Sequence, residues 1–128
     1  KKKYIRLGYE ALKSSDAINS FSCTSMPFPI QRAFKIDKKG RCEMFTPEHY
    51  QTRSQDLDEA YHDAGQFYWT NKLRQVQIGN NMIFSESSVP IIVPRSLVQD
   101  IDTPEDWIQA ELLFEILKNR KNTESSAK

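Results

Sequence analysis

Asp100 and Asp102 are the side chains whose type and spacing most directly suggest chemistry in this sequence. In a strand, residues i and i+2 point to the same face, so two carboxylates would lie side by side and repel unless a cation or solvent offset their charge. Carboxylate oxygens suit Mg²⁺ or Mn²⁺, and Mg²⁺ is commonly held by one or two carboxylates together with substrate phosphates. Spacing alone leaves an alternative open, in which both acids are solvated and Asp102 serves a helix N-terminus.

The elements that would position these residues alternate between helices and strands. We predict helices over 4–13, 72–78 and 104–119, strands over 17–24, 67–69, 89–93 and 98–101, and a β-hairpin of 30–36 and 41–45 around a turn at 37–40. The polar segment 47–64 lacks periodicity and is predicted to be an ordered functional loop. The alternation predicts the α/β class, and Asp100 and Asp102 then lie at the carboxyl end of a strand, where open α/β sheets bind ligands.

The first and last helices carry further signals. The first has no N-cap residue and begins with three lysines, which the helix dipole disfavours, so we expect a helix cut by the start of the chain. The last has Thr103 as N-cap and Pro104 at the first helical position. Its apolar residues predict broad burial against a sheet, since they occupy two sides: Trp107, Ala110, Phe114 and Leu117 on one, Ile108, Leu112 and Ile116 on the other.

Composition excludes several classes of function. A chain of 128 residues has the length of one domain, and its formal net charge of +1 lacks the basic footprint of nucleic-acid binding. There is no apolar run long enough to span a membrane and no apolar core of a signal peptide, so we expect a cytoplasmic protein. Cys23 and Cys42 do not have zinc-ligand spacing and are interpreted as small apolar side chains.

Two segments resemble a known family. Val98 to Trp107, followed by Ala110-Glu111, is similar to the carboxy-terminal motif of the CMP-sialic acid synthetases, in which two aspartates bind the metal that holds the CTP phosphates. The segment from Thr52 to Trp69 resembles a second motif of that family, and its amino-acid sequence is most similar to that of the pseudaminic acid cytidylyltransferases. Both motifs occur in the expected order, so the resemblance extends over essentially the whole chain.

The resemblance implies the carboxy-terminal portion of a Rossmann-like nucleotidyltransferase fold, of the nucleotide-diphospho-sugar transferase type. The family's first half carries a glycine-containing phosphate-binding loop, and the four glycines here are isolated: Gly8, Gly40, Gly65 and Gly79. We therefore expect residues 1–128 to be part of one cytidylyltransferase domain and to be inactive alone. Residues 30–60 would form a dimerisation extension and 120–128 a flexible tail. Exposed apolar surface is expected wherever the absent elements would pack.

The implied reaction is transfer of CMP from CTP to the anomeric hydroxyl of an acidic nine-carbon sugar, with pseudaminic acid favoured, releasing pyrophosphate. Asp100 and Asp102 would act through Mg²⁺, or Mn²⁺. Arg53 would pair with the sugar carboxylate, although the sialic acid enzymes place the arginine where this chain has Ser54. Further substrate-binding candidates follow from matching positions: Gln31, Arg32, Gln55, Asp56, His62, Gln66, Tyr68 and Phe84.

A second hypothesis, from a different class, is a non-catalytic oligomerisation or sugar-binding module. It is motivated by the absence of a phosphate-binding loop in this sequence. For each of His62, Tyr68 and Phe84 taken alone, a structural role is the alternative.

Overall fold

The structure, a computed structural model of the chain, describes residues 2–79 and 82–126. Its regular elements, in chain order, are helix α1 (Lys2–Ser14), strand β1 (Asn19–Ser25), strands β2 (Phe34–Ile36) and β3 (Cys42–Met44), strand β4 (Tyr61–Thr70), helix α2 (Lys72–Ile78), strand β5 (Ser88–Ile92) and helix α3 (Pro104–Ser126). Residues 25–62 form one compact unit, and the flanking segments 1–24 and 63–128 form the other.

The larger unit is built on a mixed sheet with strand order β4-β1-β5. β1 and β5 are parallel, with Asn19 opposite Ser88 and Cys23 opposite Ile92. β4 is antiparallel to β1, because Asn71 at its end donates its N–H to the Ile18 carbonyl and the N–H of Gln66 points at Ser22 farther along. The expected α/β class is confirmed, with a mixed sheet.

The core of this unit surrounds β1, which lies between the other two strands. Its polar residues Asn19, Ser20, Ser22 and Thr24 are buried together with Phe21 and Cys23. Ile18 and Val93 complete this core at 0% and 1% exposure. The Asn19 side chain is fully engaged, donating to the Met82 carbonyl and accepting from the Thr70 hydroxyl, which offsets the cost of its burial.

Helix α1 packs on one face of the sheet through a position that only glycine fits. A Cβ on Gly8 would overlap the Phe67 ring and lie 3.1 Å from Cδ1 of Trp69. The Trp69 indole donates to the Ile5 carbonyl, and its ring lies 5.4 Å from that of Tyr9. Phe67 and Trp69 on β4 therefore face α1.

The smaller unit contains the predicted hairpin. β2 and β3 pair antiparallel, with Phe34 opposite Met44 and Ile36 opposite Cys42. The turn is held by Asp37, whose Oδ1 accepts from the N–H groups of Lys39 and Arg41 at 2.7 and 2.9 Å. The hairpin is thus confirmed, while its role in dimerisation stays a prediction.

Several expectations about boundaries are wrong. Residues 98–101 form no strand; after β5 the chain makes one helical turn at Arg95–Leu97 and continues irregularly to α3. β4 begins at Tyr61, so the end of the predicted loop is strand. Helix α3 extends to Ser126 and, within the described side chains, has only a narrow half-buried apolar face of Ala110, Leu113 and Leu117.

Large apolar side chains are exposed on two helices of the larger unit, as expected for surface that other elements would cover. On α1 these are Ile5, Leu7 and Tyr9; on α3 they are Trp107, Ile108, Leu112, Phe114 and Ile116. An exposed apolar surface of this extent marks a site of interaction. Among the described residues, no helix combines the length and the apolar character needed to cross a membrane.

We predict that Gly8→Ala destabilises the chain by about 1–3 kcal/mol, because the added methyl group meets the Phe67 ring. At an open helical position the same change would instead stabilise by roughly 1 kcal/mol. Urea unfolding measures the difference, and Glu10→Ala, at an exposed position of α1, is the control. A gain in stability for Gly8→Ala would show that α1 does not pack on β4 as described.

Candidate functional site

A break in β4 at Gly65 organises the candidate site. Gly65 has φ +62°, in the left-handed region that glycine adopts without strain. The break is thus a local, bulge-like distortion, and β4 continues on both sides of it. The backbone N–H groups at the break donate hydrogen bonds to side-chain oxygens. Asp63 Oδ1 accepts from Gly65 at 2.9 Å, and the buried Ser22 hydroxyl accepts from Gln66 at 2.9 Å and from Phe67 at 3.3 Å.

The break places Tyr68 on the sheet face opposite α1. Phe67 and Trp69 face that helix, so Tyr68 between them points the other way. Its hydroxyl donates to Asp63 Oδ2. This hydrogen bond raises the pKa of Tyr68, since removing the phenolic proton would place two negative charges together.

Alternate residues of β1 connect this pair to Phe84. Phe21 and Cys23 are two positions apart and share one face of the sheet. Phe21 contacts Phe84 edge-to-face, with ring centroids 5.2 Å apart. Burial, and secondarily the charge of Asp63, raise the pKa of the Cys23 thiol. The Asn71 N–H to Ile18 carbonyl bond and the Thr70–Asn19 contact set the register of β4 on β1, in which Tyr68 lies opposite Phe21 and shares its face. The structure therefore brings Tyr68 and Phe84 to one side of the sheet.

Gln66 connects β4 to the segment that carries the two aspartates. Its Nε2 donates to the Leu97 carbonyl at 2.7 Å, three residues before Asp100. The contact joins the middle of β4, beside Ser22, to the segment that follows the carboxyl end of β5, the end at which open α/β sheets bind ligands. The strand predicted to align Asp100 with Asp102 is absent, so their arrangement rests on this irregular segment instead.

The two aspartates are exposed and available to a ligand. Neither carboxylate has a hydrogen bond or an ion pair with another described residue; Asp102 donates only its backbone N–H, to Asp106 at 3.3 Å. Within residues 2–79 and 82–126 no cluster of three or more His, Cys, Asp or Glu side chains could form an all-protein metal site. A pair of free carboxylates fits Mg²⁺, which completes its shell with water and phosphate oxygens.

The start of α3 fixes the end of this segment through a reciprocal cap. The Thr103 hydroxyl accepts from the N–H of Asp106, while Asp106 Oδ2 accepts from both the hydroxyl and the N–H of Thr103 at 2.7 and 2.8 Å. The hydrogen bond from the Thr103 hydroxyl, followed by that from its N–H, lowers the pKa of Asp106.

The remaining candidates lie in the smaller unit, where Arg53 is already paired. Its Nε and Nη2 donate to the two oxygens of Asp56 at 2.7 and 3.3 Å. A sugar carboxylate would therefore compete with Asp56 for the same N–H groups of the guanidinium. Both side chains are largely exposed, which makes this pair weak and exchangeable. Gln55 is exposed beside them.

Two of the other candidates in that unit, Gln31 and Arg32, make hydrogen bonds within it, and His62 is exposed. Gln31 donates to the Asp58 carbonyl at 3.2 Å, and Arg32 donates to the Thr52 carbonyl at 2.5 Å. These contacts tie the hairpin to the following loop and favour structural roles for both residues. His62 is exposed on the first part of β4. Its substrate contact stays a prediction.

Sequence reasoning missed Asp63 and Ser22, which hold the Gly65 break together. The signal was present for Asp63, because Asp two residues before Gly is typical of a turn in which the carboxylate accepts the glycine N–H. It was overlooked because residues 47–64 were predicted to be a loop, with a strand only at 67–69, so no strand was expected on the Asp63 side of Gly65. For Ser22 the only signal is a hydroxyl in a strand that the pattern makes central.

Comparison with known proteins yields clear relatives, although no family model matches the chain. Two pseudaminic acid cytidylyltransferases of Campylobacter jejuni subsp. jejuni, from serotype O:23/36 (strain 81-176) and serotype O:2 (strain ATCC 700819 / NCTC 11168), are each 36% identical over 115 residues. The match covers 90% of this chain and 49% of either relative. This chain is related to these enzymes, and it spans about half of their length.

A Helicobacter pylori protein (strain ATCC 700392 / 26695) is a more distant relative. It is named pseudaminic acid cytidylyltransferase and UDP-2,4-diacetamido-2,4,6-trideoxy-beta-L-altropyranose hydrolase. It is 31% identical over 102 residues, covering 77% of this chain and 19% of that protein. The resemblance found in the two sequence motifs is therefore confirmed by three relatives.

We predict that acid weakens the start of α3. The pKa of Asp106 is lower in the folded chain than in the unfolded one, so the cap stabilises fully above the ordinary Asp pKa of about 3.9 and is lost as pH falls through the lowered value. Thr103→Ala should raise the Asp106 pKa toward its ordinary value. Carboxyl NMR titration measures this, with Glu105→Gln as control. An unchanged Asp106 pKa in Thr103→Ala would contradict the cap.

Proposed function

We propose that the protein containing this chain is a cytoplasmic cytidylyltransferase that makes a CMP-nonulosonate, with pseudaminic acid as the acidic sugar. The observation that carries this proposal is the 36% identity to two pseudaminic acid cytidylyltransferases over 90% of the chain. A match of that length within 128 residues includes everything from residue 14 to residue 115, and hence every candidate site residue.

In the proposed reaction the anomeric oxygen of the sugar forms a bond to the α-phosphorus of CTP. The bond between the α-phosphorus and its bridging oxygen breaks, and pyrophosphate leaves. Asp100 and Asp102 would hold Mg²⁺, which when bound supplies charge neutralisation for the triphosphate and the departing pyrophosphate. Their exposure, and the absence of a partner for either carboxylate among the described residues, support this assignment.

The sugar is proposed to lie on the sheet face opposite α1. Tyr68 offers a hydroxyl there, and Phe84 offers an aromatic ring that packs on Phe21 and remains 62% exposed. Gln66 links this face to the segment that carries Asp100 and Asp102, because its side chain donates a hydrogen bond to the Leu97 carbonyl. Arg53, in the smaller unit, is a separate candidate: its guanidinium would bind a sugar carboxylate in place of that of Asp56, which presents the same pair of oxygens.

We assign the β2–β3 hairpin to a dimer contact, and the exposed apolar faces of α1 and α3 to contact with a nucleotide-binding half of a Rossmann-like fold. The hairpin supports the first assignment through its exposed apolar residues Phe34, Ile36 and Phe45. The second is supported by the length of the relatives, about twice that of this chain. On this proposal, residues 1–128 alone do not turn over CTP.

A non-catalytic sugar-binding or oligomerisation module is the second candidate. It is favoured by the roles of the glycines, none of which is available for a phosphate-binding loop. Gly8 lies beneath Phe67, while Gly40, Gly65 and Gly79 have positive φ in a hairpin turn, a strand break and a helix end. The phosphate contacts of a cytidylyltransferase would therefore have to come from residues outside this chain.

A chimera tests the proposed function. We replace the matching segment of the Campylobacter jejuni enzyme by this chain and follow release of pyrophosphate with CTP, pseudaminic acid and Mg²⁺. We expect turnover, and a loss on the order of a hundred-fold in kcat/KM for Asp100→Asn or Asp102→Asn. Glu105→Gln, an exposed acid in the same region, is the matched control.

The outcomes separate the two candidates. Binding of pseudaminic acid without turnover would favour the module. Full activity of Asp100→Asn and Asp102→Asn would remove the metal assignment while leaving the enzyme class intact.

A further inference from the structure

We propose that Asp63 is a positioning residue that fixes Tyr68 as a hydrogen-bond acceptor toward the sugar. Resting on the function proposed above, it specifies which groups of the sugar the Tyr68 phenol binds. It concerns a residue without a substrate contact of its own. Asp63 acts through Tyr68.

The carboxylate of Asp63 is anchored at both oxygens. Oδ1 accepts from the N–H of Gly65 at 2.9 Å, and Oδ2 accepts from the Tyr68 hydroxyl. The Gly65 N–H is fixed in turn, because the backbone there is left-handed and the next two N–H groups are bound by Ser22. A rigid backbone thus determines where the Tyr68 oxygen lies.

The direction of this hydrogen bond decides what Tyr68 can offer a ligand. A tyrosine hydroxyl has one proton and two lone pairs, and an ionised carboxylate can only accept, so the proton of Tyr68 is committed to Asp63. The phenolic oxygen then presents lone pairs to the ligand. It accepts from a hydroxyl or an amide N–H and repels a carboxylate.

This polarity assigns Tyr68 to the uncharged part of an acidic sugar. Hydroxyl and acetamido groups are donors that the phenolic oxygen binds, whereas the sugar carboxylate requires a cationic partner elsewhere. Asp63 and Tyr68 therefore select for the donor-bearing substituents of the ligand.

A tyrosine–carboxylate pair elsewhere in the chain supplies a matched control. The Tyr61 hydroxyl donates to Glu59 Oε2 at 2.8 Å, between residues only two positions apart. It lies in the smaller unit and involves neither Gly65 nor Tyr68. Glu59→Gln removes a comparable charge without touching the anchored carboxylate.

The first experiment measures the coupling in the chain itself. Ultraviolet and NMR titration should show the Tyr68 phenol, assigned by its loss in Tyr68→Phe, titrating at lower pH in Asp63→Asn and unchanged in Glu59→Gln. Asn keeps an oxygen for the Gly65 N–H, and urea midpoints close to that of the unaltered chain check the fold. An unchanged Tyr68 titration in Asp63→Asn overturns the positioning role.

The second experiment measures binding of pseudaminic acid to the same variants by NMR. Tyr68→Phe and Asp63→Asn should each weaken binding roughly five- to ten-fold, as expected for one hydrogen bond. The double variant should be no weaker than either single one, because both remove the same contact. Additive losses, or no binding of pseudaminic acid by the unaltered chain, overturn the acceptor role.

The two proposals fail separately. If Asp63→Asn shifts the Tyr68 titration but the chimera forms no CMP-sugar, the positioning of the phenol stands and the cytidylyltransferase function falls. If the chimera is active and Tyr68→Phe leaves its KM for the sugar unchanged, the function stands and the acceptor role falls.

Discussion

The left-handed turn at Gly65 is the constraint on which the larger unit depends. A strand that turns this way loses its regular hydrogen bonds for several residues, and the part-buried N–H groups of Gln66 and Phe67 would be costly to leave without an acceptor. This chain supplies both acceptors from side chains: the carboxylate of Asp63 for Gly65, and the hydroxyl of Ser22 for the two residues that follow. That requirement explains a polar residue at a fully buried position of the central strand.

The consequences of the break reach both halves of the candidate site. On one side, Asp63 holds the Tyr68 hydroxyl over the face where Phe84 packs on Phe21. On the other, Gln66 extends to the Leu97 carbonyl and so ties β4 to the segment ending in the two exposed aspartates. Contacts with a sugar and contacts with a metal-bound triphosphate would then be set by one short piece of backbone.

Local signals explain which elements could be predicted from the sequence. Helix α2 has the predicted bounds because Asn71 caps its first turn and Gly79 ends it in the left-handed conformation. The hairpin follows from Asp37 and Gly40 in its turn. The start of α3 follows from Thr103 and Pro104. In each case the residues that decide the structure are neighbours in sequence.

What could not be predicted depends on distant contacts. Residues 98–101 have strand-like composition, yet no strand pairs with them in the described part of the chain, and composition does not supply a partner. The apolar residues of α3 fit burial, but only its Ala110, Leu113 and Leu117 face is covered. The Asp100–Asp102 pair was proposed as a metal site from residue type together with the resemblance to a family motif, whereas its link to β4 through Gln66 needed the fold.

Mn²⁺ binding to the chain itself tests the central claim, that the two aspartates form a metal site next to the break in β4. In amide NMR spectra, Mn²⁺ should broaden the resonances around Asp100 and Asp102 first and those near Gln66 next, and a double substitution of both aspartates by Asn should abolish both effects. Broadening that leaves residues 99–103 sharp, or that persists in the double variant, would contradict the account.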